Sequence, residues 1–258
     1  MKKIVGLILL AVLVNHSVNA QGDSYRDGEW FKFRIHYGWF NASYATLEVK
    51  EENYNHKDVF HVVGKGESTG LLDMFFEVDD TYETYIDKSN DLPLKFIRDI
   101  NEGGHTKNRI IYFDQDTHQA KVKDLKHNKE DTFTTKPNVQ DMLSVFYFLR
   151  NKIDTENLTK GDEIFVDLFF DDENYKFKTV FLGREVLKTK FGKVNALKFR
   201  PYVQADRIFK EEESLTFWVS DDKNKIPLKI KANLAVGSLE ADLEAFKGLN
   251  HSFKIIMK

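Results

Sequence analysis

The chain has 258 residues, no cysteine and a formal net charge of −3. The missing thiols exclude disulfides, zinc–thiolate sites and thiol catalysis. The mild acidity gives no footing for nucleic-acid binding, which needs a clustered positive surface. An exported protein without disulfides must be held by a real core, and 22 Phe and 10 Tyr supply the apolar area for one.

The first element is a short positive start, Met1-Lys2-Lys3, followed by an apolar run from Ile4 to Val14 and a more polar stretch ending Val18-Asn19-Ala20. This three-part pattern predicts a secretory signal peptide over residues 1–20, because a bilayer span needs about 20 apolar residues. Cleavage would remove Lys2 and Lys3 and take the net charge from −3 to −5. No Cys follows the cleavage point to carry a lipid anchor. No later apolar run is long enough for a transmembrane segment. The mature chain, residues 21–258, is therefore expected to be exported.

Alternation of apolar and polar residues, the mark of half-buried strands, dominates the mature chain. Phe31, Phe33, Ile35 and Tyr37 share one face of a strand, and Ala45, Leu47 and Val49 share one face of the next, across a tight Gly38-Trp39-Phe40-Asn41 link. Further strands are predicted at 59–63, 76–87, 93–100, 109–113 and 120–125. In the second half they fall at 163–170, 175–182, 185–189, 193–202, 214–220, 227–234, 238–245 and 252–257. Residues 241–249 also carry some helical character, but Gly237-Ser238 and the alternation of Leu239, Ala241 and Leu243 favour a strand. Polar tips such as Asp114-Gln115-Asp116-Thr117, Asp171-Asp172-Glu173-Asn174 and Asp221-Asp222-Lys223-Asn224 carry turn chemistry.

Only residues 138–151 break the period of two. Val139, Met142, Leu143, Phe146 and Leu149 recur at helical spacing, with Asn138 as the expected cap and Asp141 three residues on. The fold class is thus mainly β: a large twisted antiparallel sheet or incomplete β-barrel with one principal α-helix on its concave side. The absence of a linker makes 21–258 a single β-rich domain, with β-rich halves flanking the helix. Tyr85-Ile86-Asp87 … Leu92-Pro93-Leu94-Lys95-Phe96 echoes Trp218-Val219-Ser220 … Ile226-Pro227-Leu228-Lys229-Ile230. Convergent hairpin chemistry and an old duplication both explain that echo.

The chemistry-bearing residues form no motif. A glycine-rich phosphate loop and Gly-x-Ser-x-Gly are absent, and the mature histidines stand at no metal-ligand spacing. The sequence thus gives no catalytic residues, no metal site and no cofactor. Glu77, Asp79 and Asp80 form the densest acidic cluster near apolar residues. Glu77 or Asp79 would be the acid–base candidates of a surface-polysaccharide hydrolase, while their alternation reads first as a solvated strand face.

The aromatic excess is the unusual feature. A curved sheet roofed by a helix leaves room for an apolar site. Trp30, Trp39, Met142, Phe146, Leu149 and Trp218 are the predicted ligand-binding residues; a filled two-sided core is the competing explanation.

The chain carries, in order, Gly28-Glu29, Tyr37-Gly38, Gln140-Asp141 opening the helix, Leu149-Arg150 closing it, Gly183-Arg184-Glu185 before Thr189-Lys190-Phe191-Gly192, and Trp218-Val219-Ser220-Asp221 before Pro227. This order of motifs resembles the domain-of-unknown-function 3108 family of exported bacterial proteins. The resemblance implies the periplasm of a Gram-negative bacterium and transfers no functional residue. The Leu-Pro-Leu-Lys and Ile-Pro-Leu-Lys segments are also similar to segments of periplasmic lipoprotein carriers, incomplete barrels that hold acyl chains. Three functions are open on the sequence. The leading one is non-enzymatic binding of a lipid or other apolar or amphipathic envelope ligand. The others are a scaffold that binds another envelope protein, and the carboxylate-dependent hydrolase.

Overall fold

A computed structural model describes residues 24–69, 78–203, 215–234 and 236–256. The expected signal peptide and Glu77 lie outside the described residues. The first half of the chain forms β1 (Trp30–Tyr37), β2 (Phe40–Tyr54), β3 (Lys57–Ser68), β4 (Val78–Asp87), β5 (Leu92–Glu102), β6 (His105–Asp114), β7 (Gln119–Asp124) and β8 (Lys129–Thr134). A helix, α1 (Ser144–Lys152), follows. The second half forms β9 (Glu163–Phe170), β10 (Glu173–Thr189), β11 (Gly192–Val203), β12 (Leu215–Ser220), β13 (Pro227–Asn233) and β14 (Ser238–Lys247).

Among the described residues, the fourteen strands belong to one antiparallel sheet, ordered β8-β7-β6-β5-β4-β3-β2-β1-β14-β13-β12-β11-β10-β9. Every pairing but one joins strands consecutive in the chain; the exception, β1 with β14, sits mid-sheet. Six strands, β1–β6, are followed across the sheet by six more, β9–β14, in the same order. The echoed hairpins occupy matching places: β4–β5 pairs Ile86 with Pro93 beside an irregularity at Tyr85/Ile86, and β12–β13 pairs Val219 with Pro227 beside one at Trp218/Val219. A proline is tolerated at each position because it lies at the start of its strand, second in β5 and first in β13, beside the irregularity.

The sheet curls without closing. Its two ends meet through side chains rather than a ladder. Asn174 accepts from the Lys136 N–H at 3.0 Å and donates to the Thr134 carbonyl at 2.9 Å. Asp171, in the β9–β10 tip, reaches Arg98 on β5 at 3.1 Å and Lys107 on β6 at 2.7 Å. The outer edge, β8, is exposed and carries Lys129, Glu130 and Asp131, charges that discourage strand addition.

The helix begins six residues later than its period predicts. Gln140 forms a parallel bridge with Leu168, its N–H donating to the Asp167 carbonyl and its carbonyl accepting from Phe169. Residues 138–141 are thereby committed to the edge of β9, and Asn138, the expected cap, has a left-handed φ of 55°. Asp141 caps instead: Oδ1 accepts from the Leu143 and Ser144 N–H groups at 2.8 and 2.7 Å, and its own N–H donates to Ser144 Oγ at 2.9 Å. The Thr84 hydroxyl donates to the other carboxylate oxygen at 2.6 Å, tying the helix start to β4. Tyr147 packs with Tyr25, Phe60, Val62 and Ile86 on one side, and Val145 and Leu149 pack with Val166 and Leu168 on the other. The predicted strand at 252–257 is reduced to one bridge, Ile256 with Lys193. β8 was not legible from alternation.

Candidate functional site

Side chains directly opposite in a ladder share a face, so the register traces one continuous inner row. In the first half it runs Phe33, Ala45, Gly66, Asp80 across β1 to β4. In the second it runs Ile35, Ala241, Ile230, Phe217, Phe199 from β1 to β11. These residues and the helix side chains Met142, Leu143, Val145, Phe146 and Leu149 line an open-mouthed cavity of about 690 Å³. The volume lies within the roughly 300–1,000 Å³ of small-molecule sites.

β3 places two glycines on this face: Gly66 leaves space open, and Gly64 lets Leu47 and Leu143 pack close to the strand. A Cβ on Gly66 would meet nothing nearer than the Asp80 Cβ at 4.0 Å, and one on Gly64 would touch Leu47 Cδ2 at 3.1 Å. Neither needs a left-handed backbone, so their role on this face is steric. Two inward glycines two residues apart in a strand are a signal that side-chain alternation does not carry; such glycines often mark a ligand or backbone approaching closely.

Polar groups are few. Asp80 and Tyr82 line the β4 wall. Burial pushes the Asp80 carboxyl above its usual range, partly opposed by the Asn101 N–H bonded to it. Burial likewise raises the Tyr82 hydroxyl. Arg150 and Lys225 lie on the opposite wall, already committed elsewhere. Arg150 gives Glu29 two bonds of 2.6 and 2.8 Å and also donates to the carbonyls of Ser24 and Asn224. Its guanidinium lies among the rings of Tyr25, Phe31, Phe146 and Tyr147, 5.4–5.6 Å from their centroids. Burial disfavours its charge, but the Glu29 carboxylate outweighs this and raises its pKa. Lys225 donates to the Arg150 carbonyl at 2.7 Å; burial and the Arg150 charge lower its pKa.

The six predicted ligand residues divide evenly. Met142, Phe146 and Leu149 all line the cavity. Trp30, Trp39 and Trp218 do not. Trp30 alternates with the inward Phe31 and Phe33 and stands below the Lys247 ammonium. Trp39 projects from the β1–β2 tip. Trp218 alternates with the inward Phe217 and Val219; its indole N–H donates to Glu185 at 2.6 Å and Lys198 lies over its ring. The aromatics that do face the space include Phe177, Phe199 and Phe217.

Asp79, the described member of the predicted acid–base pair, is exposed on β4 opposite Glu67 and Asn101. The curl also gathers His36, Glu240 and Asp242, with ligand atoms within 4.8 Å of one another. Lys229 already bonds both carboxylates, and His36 is held between the Gly38 carbonyl and Asp242. This group is an ion-pair network spanning β1, β13 and β14.

An unclosed, curled antiparallel sheet wrapped around α1 and an apolar cavity defines a β-barrel-like protein. The chain belongs to the DUF3108 family of proteins of unknown function, which it matches over residues 32–244. Its fold is similar to that of a β-barrel-like DUF1849 protein from Brucella abortus, with a TM-score of 0.57 and 11% identity over 86% of this chain and 98% of that one. A DUF1089 family protein from Pseudomonas aeruginosa is similar at a TM-score of 0.38 and 7% identity, over 71% of this chain and 87% of that one. No curated protein matches the chain. No helix among the described residues is long and apolar enough to cross a membrane.

Proposed function

We propose that this protein is a non-enzymatic binding protein of the cell envelope whose cavity takes an apolar or amphipathic molecule, with envelope lipid as the ligand class. One observation carries the reading: the inner face is left open at Gly66 and roofed by Met142, Phe146 and Leu149, with about 690 Å³ of apolar-lined space between them. The signal-peptide pattern of residues 1–20 supplies the envelope setting. A few buried polar groups beside a large apolar wall suit a ligand with one polar end.

Gly66→Leu is the direct test, because its side chain enters open space rather than packed core. A fluorescent fatty-acid probe is expected to bind the delipidated wild-type protein. The variant should bind it at least about tenfold more weakly, a difference of about 1.4 kcal/mol, with an unchanged melting temperature. Native mass spectrometry of protein taken from the envelope should show retained lipid. A protein that emerges empty and ignores the probe would sink the proposal.

A further inference from the structure

Successive turns of an antiparallel sheet alternate between its two ends. At the end holding the β2–β3, β4–β5, β6–β7 and β12–β13 turns, the tips and their flanks carry Lys57, Asp87, Lys88, Asp91, Asp114, Asp116 and Asp221 to Lys223. The other end also carries charged tips, with Glu102, Lys126 and Asp171 to Glu173, but its β1–β2 and β13–β14 tips are different. Residues 37–43 and 233–239 contain no charged side chain, in a chain that is 31% charged.

The two uncharged tips form one patch. Tyr37 pairs with Leu239, and the Tyr37 hydroxyl donates to the Val236 carbonyl at 2.8 Å. Trp39 is 93% exposed and Val236 78%. Leu234 and Leu239 are exposed beside them, and Trp39 stands edge-on to Phe40 at 6.2 Å. The cavity approaches the same end, since Ile35 and Ala241 line it two residues from Tyr37 and Leu239.

From this geometry we propose that the β1–β2 and β13–β14 tips dock the protein on a lipid bilayer, with Trp39 at the interface and Leu234 and Val236 at the acyl edge. Tryptophan favours the headgroup level, and a chargeless tip avoids the cost of bringing an ion toward hydrocarbon. A stable protein interface needs roughly 20–30 residues a side, more than two hairpin tips offer, so a protein partner fits less well. Docked this way, the cavity would face the membrane that holds its ligand.

The test uses the mature chain and vesicles of mixed phosphatidylethanolamine and phosphatidylglycerol. Wild-type protein is expected to float with the vesicles, and its tryptophan emission to shift to the blue. Trp39→Ala and Val236→Asp should each weaken partitioning by about tenfold or more, since binding scales with buried apolar area. Both should still bind the fatty-acid probe. Gly66→Leu should float like wild type, so failure of docking and failure of the cavity reading are separable. Absence of flotation, or unchanged flotation of both tip variants, overturns the proposal. So does a concentration-dependent dimer abolished by Trp39→Ala, which would give the patch to a second copy of this chain.

Discussion

Arg150 is 2% exposed and Glu29 fully buried, and their contact joins the segment before β1 to the last turn of α1. Breaking a buried pair strands the surviving charge. Arg150→Leu should therefore cost about 3–5 kcal/mol, while Arg150→Leu with Glu29→Leu should recover much of the loss; urea midpoints of the three proteins decide this. Asp141 adds a pH dependence. Burial pushes its carboxyl up to about 6, against the lowering effect of bonds from Thr84, Ser144 and Leu143; unfolded, it titrates near its ordinary value of about 3.9. The folded state thus holds the proton more tightly, and this contribution to stability falls as pH rises from about 4 to 6, by on the order of 2–3 kcal/mol. Asp141→Asn keeps the capping oxygen and should remove that drop between midpoints measured at pH 4 and 7. Glu240 acts in the opposite sense. Burial would raise it, but Lys229 and Ser238 hold it at about 2, so its contribution is present above about 4.5 and lost as pH falls toward 2. At this scale the helix contribution to the site was legible, because Met142, Phe146 and Leu149 keep one face at helical spacing. The role of Gly64 and Gly66 was not, because alternation is a pattern of side chains and a glycine offers none.

The helix and the β9–β10 hairpin show how elements are positioned by contacts that sequence period does not carry. The apolar spacing from Val139 onward is real, yet Val139 and Gln140 serve the edge of β9, so the helix waits for Asp141. Likewise β8 carries Phe133 among exposed polar residues and presents no alternation to read. The β9–β10 tip was legible as a turn from Asp171-Asp172, but its docking against β5 and β6 was not, since Arg98, Lys107 and Arg109 lie far away in sequence. All three approach the Asp171 carboxylate, Arg109 at 3.4 Å, and Arg98 also stacks on Phe170 at 4.8 Å. Asp171→Ala leaves these half-buried cations without that partner. The expected cost is about 1–3 kcal/mol, as for hydrogen bonds to charged groups. Amide exchange should accelerate across β9 and the start of β10, with β2 and β3 unchanged, because the latch governs a local opening rather than the whole sheet.

For the whole molecule, the mainly β class followed from alternation and the helix from the one stretch that breaks it. The open curl was expected as an incomplete barrel and is found as one, but the strand order that produces it was not legible, because it depends on where strands far apart in the chain meet. The hairpin echo, by contrast, marks corresponding places in two six-strand runs. The pairing of β1 with β14 carries a consequence for the order in which the molecule can assemble. Every other ladder joins neighbours along the chain and can form as soon as its second strand is available. The β1–β14 ladder joins Trp30 to Lys247, so the middle of the sheet is the last part to be completed. Non-local pairings of this kind slow folding, since loop closure is unfavourable before the contact rewards it. Until β14 arrives, β1 presents an open edge beside an apolar row that includes Phe31 and Phe33, an arrangement prone to association with other chains. Delay in making this one ladder therefore sets how long that edge stays unpaired.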